Sequence, residues 1–168
     1  MPNKKPELAL IKKFEEVIKS DREFGILHRV NFGLDSDKNA DVEYVTTNNE
    51  YLIIEAKSHK SSNAPNTIHD LFGKLLREHG KQNPTRNNYK NNLKYCLLIS
   101  GDEYNNKAGN IFYMEGFNKI PEEIYLKYVF LIKAAYVFVC FEETNTTEIY
   151  TWAAFYTGGK PLKAVKQI

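Results

Sequence analysis

The sequence predicts an α/β protein in which a central mixed β-sheet is flanked by helices. Three observations support this fold class: an amphipathic helical pattern over 6–20, an apolar hairpin pattern over 40–57, and a continuous apolar run at 95–99 that follows a second helical segment. Strands that alternate with helices along a chain are typical of one sheet with helices packed on it. The 168 residues suffice for one well-buried core, so we expect a single domain over 1–168.

The first hundred residues are expected to form the core of that domain, over about 6–100. Apolar residues recur at helical spacing in the first segment, and the hairpin strands are separated by a polar Thr-Thr-Asn-Asn break. The predicted elements are, in order, a helix at 6–20, a strand at 26–32, hairpin strands at 40–46 and 51–57, a polar loop at 58–66, a helix at 67–79, an Asn-rich basic loop at 81–92 and a buried strand at 95–99.

The remaining residues are expected to elaborate this core over about 101–157. Pro121 in front of two glutamates is typical of a helix start. The predicted elements are a strand at 110–115, a helix beginning near Pro121, a hairpin that pairs 135–142 with 147–156, and a loose basic tail at 158–168.

Charge, cysteine content and hydropathy indicate which kinds of partner and cellular compartment suit the chain. The net charge of +2 favours no partner by itself, but the basic residues cluster between Lys74 and Lys94, which suits either a polyanion or a solvated helix face. Cys96 and Cys140 lie in apolar strands without a metal-ligand spacing, as expected for buried thiols in a reducing compartment. No apolar run is long enough to span a bilayer and no signal-peptide pattern precedes the first helix, so we expect a cytoplasmic protein without membrane contact.

The hairpin carries the most informative polar residues. Asp41 begins its first strand, and Glu55 and Lys57 share one face at the end of its second strand, because alternate side chains of a strand point the same way. If the connecting loop has an odd number of residues, Asp41 lies directly across from Glu55, with Cβ atoms about 4.5–5.5 Å apart. An even two-residue turn would instead place the two carboxylates on opposite faces.

With the odd loop, two facing carboxylates repel each other unless a cation lies between them. Hard oxygen ligands without thiolates or a histidine pair suit Mg²⁺, or Mn²⁺ as its substitute, and the backbone carbonyl of Ala56 could add another oxygen. Lys57 could then orient or deprotonate a water and offset charge on a phosphate under attack. The sequence thus predicts the chemistry of phosphodiester hydrolysis, against the alternative of an acid and a lysine decorating an exposed strand edge.

These residues and this element order resemble the PD-(D/E)XK nuclease superfamily, the restriction-endonuclease-like phosphodiesterases. The resemblance implies an αβββαβ core, with Asp41 as the first acid of the motif, Glu55 as the second and Lys57 as its lysine. It also implies an assisting acid from the first helix, either Glu15 or Glu16. Ala40 stands where the motif has proline, which shapes the strand entrance and supplies no ligand.

The resemblance implies DNA as substrate, cleaved within the strand, in a setting such as restriction, recombination or mobile-element processing. Candidate phosphate contacts come from loops and helices near the motif: His59, Lys60, His69, Lys74, Arg86 and Lys90. Cutting both strands with one site per chain would need a homodimer or successive nicks.

Two alternatives stay open. The fold could serve as a non-catalytic nucleic-acid-binding or assembly module, or as the nuclease subunit of a larger complex whose partner packs on the aromatic-rich second hairpin.

Overall fold

The computed structural model describes residues 5–32, 38, 40–60 and 64–167. Within these residues the helices are α1 (Lys5–Ile18), α2 (Ala64–Glu78), α3 (Pro84–Asn87), α4 (Gly109–Phe117), α5 (Glu122–Ile132) and α6 (Trp152–Thr157). The strands are β1 (Ile26–Phe32), β2 (Val42–Thr46), β3 (Tyr51–Lys57), β4 (Leu93–Ser100), β5 (Glu103–Tyr104), β6 (Lys107–Ala108), β7 (Ala134–Phe141), β8 (Thr146–Tyr150) and β9 (Lys163–Lys166). The mixed α/β class predicted from the sequence is confirmed.

Among the described strands, seven form one mixed sheet in the order β1-β2-β3-β4-β7-β8-β9, and β5 and β6 pair in a small separate ribbon. The three central strands β3, β4 and β7 run parallel, whereas the pairs on either side are antiparallel. Parallel neighbours need a crossover connection. Helices α2 and α3 lie in the connection from β3 to β4, and α4 and α5 lie in that from β4 to β7.

Each face of the sheet buries its own apolar cluster. On one face α1 packs its stripe of Leu10, Ile11 and Phe14 against alternate strand residues such as Tyr44 and Ile54. On the other face, residues of α2, α4, α5 and α6 cover the intervening strand positions. A sheet covered on both sides explains why β2 and β3 are buried at nearly every position.

Helix α4 replaces the strand predicted at 110–115. The β-branched and aromatic residues Ile111 to Tyr113 favoured a strand, but the helix buries Tyr113 and Phe117 in the core. An apolar helix with buried contacts on several sides lacks the polar face that reveals helical periodicity. Its start lies so close to β4 that a Cβ at Gly109 would be 1.9 Å from the Ser100 carbonyl oxygen, so this position requires glycine.

The second hairpin is confirmed for β7 and β8 and wrong beyond Tyr150. Residues 152–157 form α6, because the Thr151 hydroxyl accepts the Ala154 N–H at 3.1 Å as an N-cap and Gly158 ends the helix at φ 70°. The hairpin aromatics also fill the core, with Trp152 and Phe155 buried. These two side chains are thus not exposed to a partner, whereas Tyr136, Phe141, Tyr150 and Tyr156 are half-buried.

The tail expected to be loose at 158–168 instead contains β9, an edge strand paired with β8. Lysines at both of its ends, Lys163 and Lys166, are typical of an edge that must not pair further. The Asn-rich segment 81–92 is likewise more ordered than a loop. The Asn83 side chain caps α3 by accepting the Thr85 and Arg86 N–H groups at 3.0 and 3.3 Å.

Two other expectations concern the cysteines and membranes. Cys96 and Cys140 are buried free thiols, as predicted, and burial raises the pKa of the Cys140 thiol to about 12. Among the helices of the described residues, none has both the length and the apolar character needed to cross a bilayer.

Candidate active site

The β2–β3 hairpin determines which acidic residues face each other. Its ladder pairs Val42 with Ile54. Residues 47–49 form the connecting loop, because the Thr46 N–H donates to the Glu50 carbonyl oxygen at 2.9 Å and closes the hairpin around them. The loop is therefore odd, and the ladder continued by one residue sets Asp41 opposite Glu55, as required by the sequence argument.

Asp41 lies across the end of β3. Its Oδ2 accepts the backbone N–H of Ala56 at 2.9 Å. Asp41 is 4% exposed and Glu55 is 3% exposed. Two carboxyl groups are thus brought together at the end of the hairpin, largely out of water.

Glu55 is the central carboxyl group of a buried cluster that also contains Glu78 of α2. Burial, the charge of Asp41 and the hydrogen bond to Glu78 raise the pKa of Glu55 well above its usual range. Burial alone would raise the pKa of Glu78 too, but hydrogen bonds from Glu55, Lys81 and Arg86 lower it overall. The two pKa shifts make Glu55 the carboxyl group of the pair that holds a proton more readily, so its hydroxyl is the group expected to donate to Glu78.

A buried ion-pair network extends this cluster to α3. Arg86 donates from Nη2 to Glu78 Oε1 at 2.7 Å and from Nε and Nη2 to the two oxygens of Glu43 at 3.0 and 2.9 Å. Glu43 Oε1 also accepts the Tyr51 hydroxyl at 2.7 Å, and its Oε2 accepts the Ala40 N–H at 2.7 Å. Each buried charge thus has several partners, which is the condition for keeping ionised groups in a core.

Lys57 follows Glu55 on the same face of β3. Its Nζ lies 3.5 Å from Asp70 Oδ2 of α2, and Nζ of Lys74 lies at the same distance from that oxygen. The Lys57 side chain is 17% exposed. The ammonium group thus follows the carboxyl cluster along the same face of β3, is partly accessible, and is paired with an acid from α2.

The structure does not bring Glu15 or Glu16 to this cluster. Helix α1 packs on the opposite face of the sheet, where Glu15 binds the Arg29 guanidinium through both carboxylate oxygens at 2.6–2.9 Å. Glu16 is exposed and pairs with Lys13 at 3.2 Å. The predicted assisting acid from the first helix is therefore neither of these two residues.

Glu7 is the acid of α1 that reaches the end of β3, and the sequence interpretation missed it. Its Oε1 accepts the Ser58 N–H at 3.4 Å, and its Oε2 is buried without a hydrogen-bond partner among the described residues. A signal was present, because Glu7 is three, four and seven residues before Leu10, Ile11 and Phe14. An acid on the buried stripe of an amphipathic helix needs a specific environment.

Two of the candidate phosphate contacts are buried. Arg86 is 4% exposed and saturated by the carboxylates described above. His59 is enclosed by Tyr104, Phe112 and Tyr113, with ring centroids 5.8–6.2 Å from its own. Neither side chain is presented to a nucleic acid, so these two predicted contacts are not supported by the structure.

The other four candidates reach the surface to different extents. Lys60 lies 3.5 Å from Asp102 Oδ2 with 28% of its side chain exposed. Lys74 shares Asp70 with Lys57. His69 on α2 and Lys90 after α3 are exposed.

Asp41, Glu55 and the Ala56 backbone are the donors that the sequence analysis assigns to a divalent cation. Asp41 and Glu55 provide two carboxyl groups, and the Ala56 backbone borders both of them. Within the described residues, no group of three or more His, Cys, Asp or Glu side chains is arranged to hold a metal ion. Mg²⁺ is commonly bound by one or two carboxylates with waters completing its shell, so two facing carboxyls are compatible with it.

The arrangement combines paired carboxyls with an ammonium group two residues further along the same strand, which together suit hydrolysis of a phosphodiester. Comparisons of the chain with protein-family models, curated proteins and solved structures found no significant match.

Proposed function

We propose that the chain is a Mg²⁺-dependent deoxyribonuclease that hydrolyses DNA phosphodiester bonds within the strand. The observation that carries this proposal is the buried apposition of Asp41 and Glu55 at the end of the β2–β3 hairpin, with Lys57 next on the same face. Such carboxyls repel each other strongly when both are ionised. A bound cation would offset this repulsion, and so would a proton.

The order of elements supports a restriction-endonuclease-like core. Helix α1 is followed by the antiparallel strands β1, β2 and β3, then by α2 and by β4, which is parallel to β3. This is the αβββαβ order that the resemblance to PD-(D/E)XK nucleases implies. The strands β7 to β9 extend the same sheet beyond that core.

The residues would divide the chemistry as follows. Asp41 and Glu55 would hold Mg²⁺, with Mn²⁺ as a substitute, and Glu7 is a further acid at the end of β3. The ion, when bound, supplies Lewis-acid stabilisation of charge on the phosphate. Lys57 Nζ would orient the attacking water or accept its proton, and its charge would offset the negative charge that develops on the phosphate oxygens.

Asp70 would position Lys57 for this role. In the structure it lies 3.5 Å from the ammonium groups of both Lys57 and Lys74. A phosphate entering this region would compete with Asp70 for the two cations. His69, Lys60 and Lys90 would then contact neighbouring phosphates, which positions a duplex without reading its sequence.

One observation favours a different function. Asp41, Glu55 and Glu78 are almost fully buried, and the raised pKa of Glu55 favours a proton there, which would relieve the repulsion in the cluster without an ion. The same fold could therefore serve as a nucleic-acid-binding or assembly module in which the carboxyl cluster only joins β2, β3 and α2. The two proposals differ in whether the cluster binds a divalent cation and cuts DNA.

The test is cleavage of supercoiled plasmid by purified protein with Mg²⁺ or Mn²⁺. Asp41→Asn and Lys57→Met should each lower the rate of nicking by about 100-fold or more, the scale expected for loss of a residue engaged in proton transfer or charge stabilisation. Lys119→Met, which removes an exposed lysine from the α4–α5 connection, serves as the matched control and should cut like the wild type.

Cleavage that persists unchanged in both site variants comes from elsewhere and refutes this active site. Wild-type protein that binds DNA but neither cuts it nor binds Mn²⁺ would instead support the non-catalytic module.

A further inference from the structure

We infer that the outer face of α5 is the surface on which a second copy of this chain packs, with the two α5 helices antiparallel. This face carries four large apolar side chains with substantial exposure: Ile124 at 54%, Leu126 at 40%, Phe130 at 88% and Leu131 at 72%. The opposite face of α5 is already anchored, since Tyr125 and Ile132 are buried in the core. The outer residues are thus an additional apolar surface, which in a monomer is a sign of an interaction site.

The apolar residues form a shallow, open depression on α5 alone. Leu126, Phe130 and Leu131, flanked by Glu123 and Lys127, line this depression of about 590 Å³. Residues 123, 126, 130 and 133 follow the spacing of one helical stripe. An apolar stripe of this kind packs well against another helix with similar residues.

The charges at the two ends of the stripe favour a second copy as the occupant. Glu123 lies in the first turn of α5 and the exposed Lys133 follows its last turn. In a twofold antiparallel pair, the register that sets Leu126 against the partner's Phe130 also sets Glu123 against the partner's Lys133. The stripe is therefore complementary to itself, as an isologous interface requires.

The polar residues around this face argue against a lipid surface. A helix that lies on a membrane typically has a polar side rich in Lys and Arg. Helix α5 instead begins with Glu122 and Glu123, and the latter pairs with Lys127 at 2.9 Å. A balanced set of charges suits a protein partner of the same composition.

The expected dimer is weak and reversible, because a single helix pair buries a small area compared with stable interfaces. The inference does not depend on the proposed nuclease activity, since α5 contributes none of the residues of the candidate site. A failure of one leaves the other intact.

The experiment is sedimentation equilibrium of the purified chain from about 5 to about 500 µM, the range that detects weak association. Wild-type protein should move from monomer to dimer across this range, and Phe130→Glu should weaken dimerisation about tenfold or more. Leu162→Glu is the matched control, because Leu162 is an apolar residue outside α5 that is 60% exposed. This variant should dimerise like the wild type.

A charge exchange tests the antiparallel register. Glu123→Lys and Lys133→Glu should each weaken the dimer by placing like charges opposite each other, and the double variant should restore it. Circular dichroism of each variant establishes that it is folded.

Three results would overturn the inference: a wild-type chain that stays monomeric throughout the range, a dimer insensitive to Phe130→Glu, or single charge variants that are not rescued by the double exchange. A monomer that floats with anionic vesicles would overturn it as well and assign the face to a membrane.

Discussion

The surroundings of Glu55 determine the pKa of its carboxyl group. Because it is removed from water and placed among Asp41 and Glu78, its carboxyl group has a raised pKa and holds a proton more tightly than an exposed glutamate does. The pKa of Glu55 is raised because ionisation would create adjacent buried charges. A divalent cation would relieve the same repulsion in place of the proton.

We therefore expect opposite effects of Glu55→Gln on stability and on ion binding. In the absence of metal, Gln can donate the hydrogen bond to Glu78 without adding charge, so the melting temperature near pH 7.5 should rise by a few degrees. Mn²⁺ at about 100 times its Kd should stabilise the wild type by about 2.7 kcal/mol and should leave this variant unchanged.

Differential scanning calorimetry with and without Mn²⁺ measures both effects. Glu16→Gln, which removes an exposed acid from α1, is the control and should respond to Mn²⁺ like the wild type. An equal Mn²⁺ response in Glu55→Gln would show that the ion binds elsewhere.

His59 makes a separate prediction at the residue scale, about pH. Burial first, and then the charge of Lys60, lower the pKa of His59 below its ordinary value of 6.5, although Asp102 acts in the opposite direction. Because the unfolded chain then binds a proton more readily than the folded protein, this residue contributes a loss of stability as pH falls below about 6.5. Above that pH the contribution is absent.

Replacing His59 with Phe should remove this contribution while keeping an aromatic ring among Tyr104, Phe112 and Tyr113. Urea unfolding from pH 7.5 down to pH 5.0 should show that the difference between wild type and His59→Phe changes with pH, in favour of the variant at the acidic end. A difference in unfolding free energy that stays constant over this range would contradict the prediction.

At the scale of elements, α3 connects the β2–β3 hairpin to α2 through its side-chain contacts. It has only one turn, so its own hydrogen bonds cannot account for its order. Arg86 supplies the missing contacts by bridging Glu43 of β2 and Glu78 of α2, and it also donates to the Glu78 carbonyl oxygen at 3.0 Å. Tyr89 adds a ring contact with Tyr51, at 5.1 Å between centroids.

Arg86→Ala should therefore cost about 3–5 kcal/mol of unfolding free energy, because it leaves two buried carboxylates without their shared cation. Lys90→Ala, an exposed substitution just beyond the same helix, should change stability by less than about 0.5 kcal/mol. Urea denaturation curves of both variants provide the comparison. A loss below about 1 kcal/mol for Arg86→Ala would mean that the network contributes little and that α3 is held by its apolar contacts.

At the scale of the whole molecule, the parallel centre of the sheet explains the position of the candidate site. Strands β3 and β4 end side by side, and the residues that follow them, such as Ser58 and Asp102, lie at the same edge of the sheet. Polar groups from separate parts of the chain converge there, at the carboxyl ends of parallel strands. This is the edge at which α/β proteins usually bind ligands. The antiparallel entry of β2 brings Asp41 to this edge too.

The whole molecule is asymmetric in how its helices are used. Helix α1 covers one face, whereas α2, α4, α5 and α6 share the other. Among the described residues, the two most exposed large apolar side chains, Phe130 and Leu131, both belong to α5 and are each more than 70% exposed. The association inferred for α5 belongs to this scale, because it depends on which face of the helix the fold leaves uncovered.

The sequence by itself determined the α/β class, six of the seven elements described in the first hundred residues (all but α3) and the short list of Asp41, Glu55 and Lys57. It could do so because local periodicity and strand alternation are encoded in neighbouring residues. It left open the parity of the hairpin loop, since Thr-Thr-Asn-Asn accommodates turns of either kind. It also misassigned α4 and α6, where buried apolar contacts or a cap outweigh strand propensity.

Only the tertiary structure decided which distant groups surround Glu55. Glu78 and Arg86 come from other elements, and their partners follow from how α2 and α3 cross the sheet. The same packing separated Glu15 from the cluster and brought Glu7 to the end of β3. Long-range electrostatic partners depend on distances in space, which the spacing of residues along a chain does not specify.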